Sequence, residues 1–128
     1  MKKITILLVI IFTFLFSTTS WGEWSLVTEN EGGNSYYDKD RVRKSGKYLY
    51  FWRLTDFLKP TNGGLSQTSY IQLDCSIFRY KNLSVNTYKN LKGEGKVVME
   101  FDPTDKWYYP PPNSIPEIMY NKVCEEHQ

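Results

Sequence analysis

Between Tyr70 and Ile77 the chain alternates: Ile71, Leu73, Cys75 and Ile77 fall on one face of an extended strand, and Tyr70, Gln72, Asp74 and Ser76 on the other. Cys75 therefore points with the core residues, and whatever carries the other cysteine, Cys124, must lie against that face. Ser114 and Glu117 form a capping box ahead of the chain's clearest helical pattern, with Pro116 in the first turn, where no intrahelical donor is lost. Ile115, Ile118, Met119 and Val123 make one apolar stripe at helical spacing, and Cys124 sits beside it. A Cys75–Cys124 disulfide would clip this helix to the strand.

Tyr48 to Leu58 is apolar on both faces: Tyr48, Tyr50, Trp52 and Leu54 share one, Leu49, Phe51 and Phe57 the other. A strand of this kind belongs in the middle of a sheet, with one face under the helix and the other covered by aromatic side chains or a partner. Glu23 to Val27 and Ser35 to Asp38 read as two further strands joined by a loose, glycine-containing loop from Glu29 to Asn34. Lys59 to Gly64 reads as a loop because proline and two glycines break a ladder. Ile77 and Phe78 are adjacent apolar residues that suggest a bulge before Arg79 to Leu83. Leu91 to Gly95 is a turn and Lys96 to Phe101 a strand, followed by a turn at Asp102 to Asp105 and an extended, proline-rich stretch to Pro112. The fold class predicted is α+β: an antiparallel sheet of five or six strands, one C-terminal helix on one face, and a single disulfide.

Not all 128 residues belong to that domain. Met1-Lys2-Lys3 followed by an apolar run from Ile4 to Phe16 and small residues at Ser20 and Gly22 reads as a signal peptide over 1–22, leaving 23–128 as the mature domain. The run is too short for the roughly 20 residues of a membrane-crossing helix, and an uncleaved anchor is the competing reading. Loss of Lys2 and Lys3 leaves basic and acidic residues equal in number, so the apparent net charge of +2 belongs to the signal. Nothing global then argues for nucleic acid or an anionic membrane as partner. An oxidising compartment, periplasm or cell exterior, lets the disulfide persist.

Chemistry-bearing constellations are sparse. The single histidine, His127, is next to last, where chains commonly fray, so a Ser-His-Asp or Cys-His arrangement has no ordered base. Asp102-Pro103-Thr104-Asp105 lacks the glycine and alternating oxygens of a calcium loop, and Gly93-Glu94-Gly95-Lys96 lacks phosphate-loop spacing. The expectation is a non-enzyme with neither cofactor nor metal.

Two features suit a binding surface. Arg41, Arg43, Lys44 and Lys47 form a basic run fit for an acidic polysaccharide or acidic protein patch, unless Asp38 and Asp40 merely balance it as a solvated loop. Phe, Tyr and Trp make up 16% of the chain, and Tyr48, Tyr50 and Trp52 present large rigid surfaces with polar tips on one face, a candidate contact for a protein partner or a second copy.

Trp24, Tyr36-Tyr37-Asp38, Trp52, Leu73-Asp74-Cys75, Arg79, Tyr88, Gly93 to Gly95, Trp107, the proline run with Ser114 and the terminal Cys124 occur in an order that resembles the surface-adhesin E family of exported bacterial proteins. The resemblance spans essentially the whole mature chain. It implies an antiparallel sheet with a disulfide-linked C-terminal helix, and attachment of bacteria to host extracellular-matrix and serum proteins. It carries over no binding residue, since its motif consists of packing and disulfide positions. Family surface attachment is through the membrane, whereas no cysteine near the cleavage site offers a lipid attachment point here. A periplasmic accessory or inhibitor that binds another envelope protein is therefore the alternative function.

Overall fold

The structure is a computed structural model that describes residues 23–30 and 32–128. The expected signal peptide, 1–22, lies outside the described residues. Seven antiparallel strands form one sheet: β1 (Ser25–Asn30), β2 (Gly33–Tyr37), β3 (Arg43–Ser45), β4 (Tyr48–Thr61), β5 (Gly64–Asp74), β6 (Arg79–Tyr88) and β7 (Val97–Phe101), followed by helix α1 (Ile115–His127). The spatial order is β1-β2-β4-β5-β6-β7, and β3 pairs with the first residues of β4 beside β2. Short single helical turns interrupt the connections at Lys39–Arg41 and Leu91–Gly93.

β4 is central, as its two apolar faces require. The pairs Leu49↔Leu73 and Phe51↔Ile71 place four apolar side chains on one face of β4 and β5, and α1 lies on it with Met119, Tyr120 and Val123. Fully burying each such side chain is worth about 1.5–3 kcal/mol. Tyr120 is buried, as Tyr must be only with its hydroxyl partnered: Arg53 Nη1 donates to its Oη at 3.2 Å. Tyr120 also meets Phe51 and Tyr80 edge to face, at 5.6 and 4.8 Å. Ile118, expected on the buried stripe, is instead 48% exposed. Tyr120 takes that place because the buried stripe of α1 runs through Met119, Tyr120 and Val123.

Ser114 caps α1 as predicted, its Oγ accepting from the Glu117 N–H at 3.2 Å. The reciprocal bond is shifted by one residue, with Glu117 Oε1 accepting from the Asn113 N–H. At the other end, Cys124 is bonded to Cys75, with 5.9 Å between their Cα atoms. His127, expected to fray, is held in the helix: the Tyr37 hydroxyl donates to Glu126 Oε2 at 2.6 Å and lies 3.3 Å from His127 Nε2. Burial, reinforced by Glu126, pushes the Tyr37 phenol far above its ordinary range, so it stays protonated.

Two turns are tighter than their composition suggests. The loose loop expected over 29–34 is a hairpin whose ladder reaches Asn30↔Gly33, because Asn30 Oδ1 accepts from the N–H groups of Gly32 and Gly33. Only glycine fits at 33: its φ is +138°, and a Cβ would stand 1.9 Å from the Asp56 carbonyl oxygen. The loop expected over 59–64 shrinks to Asn62 and Gly63, both at positive φ, as a two-residue hairpin turn demands. Pro60 is tolerated because the ladder is irregular between Asp56 and Thr61.

The alternation read from Tyr70 to Ile77 ends at Asp74, and Cys75 to Phe78 form the turn into β6. Ile77 is 52% exposed, while Asp74 is wholly buried. Asp74 Oδ1 accepts from the Ser76 N–H, the Ser76 hydroxyl and the Ile77 N–H, and Oδ2 accepts from Arg79 Nε at 3.2 Å. Phe78 takes φ of +58° to close the turn. The bulge foreseen at Ile77-Phe78 lies further on at Leu83, where the register jumps from Ile71↔Asn82 to Tyr70↔Ser84. Burial alone would raise the Asp74 carboxyl, but the bonds from Ser76, Arg79 and Ile77 outweigh it and hold it below the carboxylate range.

Replacing Cys75 and Cys124 together by Ser should lower unfolding stability by about 4 kcal/mol, read as a lower urea midpoint, since the closed loop is long. Arg79→Ala strips a buried carboxylate of its guanidinium and should cost about 3 kcal/mol, whereas Lys81→Ala, which loses a bond to exposed Asp105 and a ring contact with Trp107, should cost about 1 kcal/mol or less. Because the folded Asp74 carboxyl titrates below its unfolded value, its contribution is complete above about pH 5 and lost as pH falls below about 4. Asp74→Asn should therefore be less stable than the parent near neutrality and converge with it in acid.

Candidate functional site

The helix covers one face of the sheet; the opposite, open face carries the even-numbered residues of β4 and β5. Register sets Tyr48 beside Asp74, Tyr50 beside Gln72, Trp52 beside Tyr70, Leu54 beside Thr68 and Asp56 beside Ser66. At the Asp56 end the connection between β6 and β7 folds over the sheet. Asp56 Oδ1 accepts from the Lys92 N–H at 2.7 Å, Ser66 Oγ accepts from the Gly93 N–H, and the Ser66 hydroxyl donates to the Asn90 carbonyl. Lys92 Nζ rests 3.6 Å from the centre of the Tyr36 ring and 3.7 Å from Asp56 Oδ2.

The other end of the open face is an array of aromatic rings and cations. Trp52 and Tyr70 pack at 4.9 Å between centroids, Tyr70 and Tyr50 stack at 6.3 Å, and the Arg43 guanidinium lies 4.8 Å above Tyr50. Lys47 Nζ is 5.4 Å from the Tyr48 ring, which packs against Trp107 at 5.6 Å. Arg79 and Lys81, two residues apart on one face of β6, both reach Trp107, at 4.1 and 4.6 Å. Trp107 is delivered by the chain after β7: Tyr108 exchanges both backbone hydrogen bonds with Tyr80, which leaves Trp107 on the open side of β6. Each exposed cation–ring contact contributes roughly 0.5–1 kcal/mol. Four cations meet two carboxylates, Asp74 on Arg79 and Asp105 on Lys81, so the array is net positive.

The structure thus brings together Tyr48, Tyr50, Trp52, Arg43 and Lys47, and separates two residues of the basic run from them. Val42 packs against the core, and the pairing of β3 with β4 sets Arg43 beside Tyr50 on the open side and Lys44 beside Leu49 on the other. Lys44 pairs opposite Leu49 and lies on the helix side, in a small hollow beside Cys75 and Gln128. Arg41 sits in the turn before β3, 3.5 Å from Asp38, outside the ring-and-cation array but lining a cleft that also includes Trp52. Sequence reading missed Tyr70, Arg79, Lys81 and Trp107 as parts of this surface. Strict alternation from Trp52's partner strand could have found Tyr70, and the i, i+2 spacing of Arg79 and Lys81 was visible; nothing local marked Trp107.

Among the described residues, no group of three His, Cys, Asp or Glu side chains could hold a metal ion, and no helix is long and apolar enough to cross a membrane.

No curated protein matches the chain by sequence. A solved structure of Haemophilus influenzae protein E superposes with a TM-score of 0.65 at 12% identity, covering 86% of this chain and 89% of that one. Its second crystal form gives 0.66 at 12%, covering 86% and 93%. Identity this low shows the shared fold alone. The sequence profile of the family described as surface-adhesin protein E matches residues 24–125, nearly all of the described chain, and the protein belongs to the surface-adhesin protein E family.

Proposed function

We propose that the protein is an exported, non-catalytic binding domain that uses the open face of its sheet to hold a protein partner, in the manner of an adhesin. The observation that carries this reading is a pair of ring-and-cation chains on the open face, Arg43 through Tyr50 and Tyr70 to Trp52, and Lys47 through Tyr48 to Trp107, Arg79 and Lys81. Rigid aromatic surface with polar tips, interleaved with arginine, is the composition enriched at energetic centres of protein interfaces. The rings are held by one another and by the sheet, so little side-chain freedom remains to be lost on binding. The net positive charge favours an acidic surface on the partner and a rate of association that falls with salt.

Family membership supports adhesion, with host extracellular-matrix or serum proteins as the class of partner. The same face would serve equally for docking onto an envelope protein of the producing cell, and the two readings separate by partner rather than by surface. Export rests on the N-terminal pattern and on the disulfide, which needs an oxidising compartment to persist.

The test is binding of the oxidised protein to immobilised host matrix and serum proteins, run beside binding to an envelope extract of the producer, with parent, Tyr50→Ser/Trp52→Ser and Arg43→Glu proteins. The expected result is saturable binding to a host protein, weakened at least about tenfold by the aromatic pair, and weakened with a shallower salt dependence by Arg43→Glu. Saturable binding confined to the envelope extract would make this an accessory domain. Binding and oligomeric state left unchanged by both variants, with the fold intact, would remove the open face from the function.

A further inference from the structure

Beside the array, a cleft of about 230 Å³ opens between the start of β1, the turn before β3 and the connection from β6 to β7. It is lined by Trp24, Trp52 and Tyr88 together with Thr68 and Gly93. Two polar side chains lining it are almost wholly buried, Asp38 at 4% and Thr68 at 6% exposure. Asp38 Oδ1 and Thr68 Oγ1 have no hydrogen-bond partner among the described residues. An unpartnered buried acceptor costs about 1–3 kcal/mol; of three such oxygens among the described residues, two line this one cleft and the third, Ser35 Oγ, does not. Elsewhere on this face the buried polar side chains are consumed by turns: Asp74 by Ser76, Ile77 and Arg79, Asp56 by Lys92, and Ser66 by Asn90 and Gly93.

Charge narrows what could enter. The two cations at the rim are matched: Arg41 lies 3.5 Å from Asp38, and Lys92 lies 3.7 Å from Asp56. A cationic ligand would meet Arg41 and Lys92, and an anionic one would meet Asp38, so a neutral ligand is favoured. The orphaned oxygens ask for hydroxyl donors, the rim cations can donate to ligand oxygens, and the indole and phenol faces offer a flat apolar platform. Hydroxyls around the rim of a ring with C–H groups on its face describe a sugar. The volume, below the roughly 300–1,000 Å³ of clefts that enclose drug-sized ligands, suits a single ring.

We propose that this cleft is a binding subsite for one neutral hexose ring of a glycan, laid against Trp24 and Trp52 and hydrogen-bonded by Asp38 and Thr68. Burial pushes the Asp38 carboxyl up, against the pull of Arg41, which is the state a hydroxyl donor would relieve. The subsite stands independently of the protein-binding face, with which it shares only Trp52, so variants at Trp24 and Thr68 separate the two.

The experiment titrates the oxidised exported protein, with its tryptophans isotope-labelled, against the methyl glycosides of glucose, galactose, mannose and N-acetylglucosamine, with glucuronate and choline as charged probes. At least one neutral glycoside should shift the Trp24 and Trp52 indole signals saturably, with a dissociation constant on the order of millimolar for so small a ligand. Thr68→Val, which keeps the side-chain shape, and Trp24→Leu, on a partly exposed residue, should each weaken that binding about fivefold or more with the remaining spectrum unchanged. Absence of any shift with the neutral glycosides, shifts that persist equally in both variants, or saturation by glucuronate or choline alone would each overturn the proposal.

Discussion

A helix of 13 residues has to serve a sheet six strand positions wide, and that mismatch governs the rest of the molecule. Such a helix is about 20 Å long and about 10 Å across, while strands spaced about 4.8 Å apart present two faces, each broader than one helix can close. The apolar positions of β4 and β5 collect under it: Leu49, Phe51, Ile71 and Leu73 against Met119, Tyr120 and Val123. The disulfide fixes the helix to the end of β5, and Tyr37 ties its last turn to β2 through Glu126. Every other part of the sheet surface must be made tolerable without a helix.

The open face solves this in two ways. At one end the connection between β6 and β7 folds down, and buried Asp56 and Ser66 are satisfied by its backbone. At the other end rings cover the strands while cations cover the rings, which leaves large, rigid, half-buried aromatic surface facing outward. Arg79 joins structure to surface: its guanidinium neutralises the carboxylate that closes the β5–β6 turn and lies over Trp107 at the same time. A surface built from residues that also hold the fold is preorganised, which is what binding without large ordering costs requires.

Much of this was legible in the chain. The cap at Ser114, the two cysteines, the central place of Tyr48 to Leu58 and the aromatic character of its second face all follow from local pattern, because helix period, strand period and capping are local physics. What escaped was set partly by distant partners, at Lys44 and Trp107, and partly by short-range turn chemistry that the alternation masked, at Asp74 and Asn62-Gly63. Asp74 looks like a solvent-facing residue in an alternating strand, yet the turn at Cys75 to Phe78 buries it. Lys44 looks like one more member of a basic run, yet the pairing of β3 with β4 turns it to the other side. Pro60 and Gly63 look like a loop, but two positive-φ residues suffice to turn the chain there. Trp107 reaches the array only because Tyr108 pairs with Tyr80, a contact that no window of sequence around Trp107 encodes.

The central claim is that the open face, and not the helix, is the surface presented to a partner. Oxidative footprinting of the aromatic and aliphatic side chains, with and without a saturating partner protein, tests it most directly. Protection of Tyr50, Trp52, Tyr70 and Trp107, with exposed Ile118 on the helix and exposed Tyr109 reacting equally in both states, is the predicted result. Protection of Ile118 with the four open-face rings unaffected would contradict it.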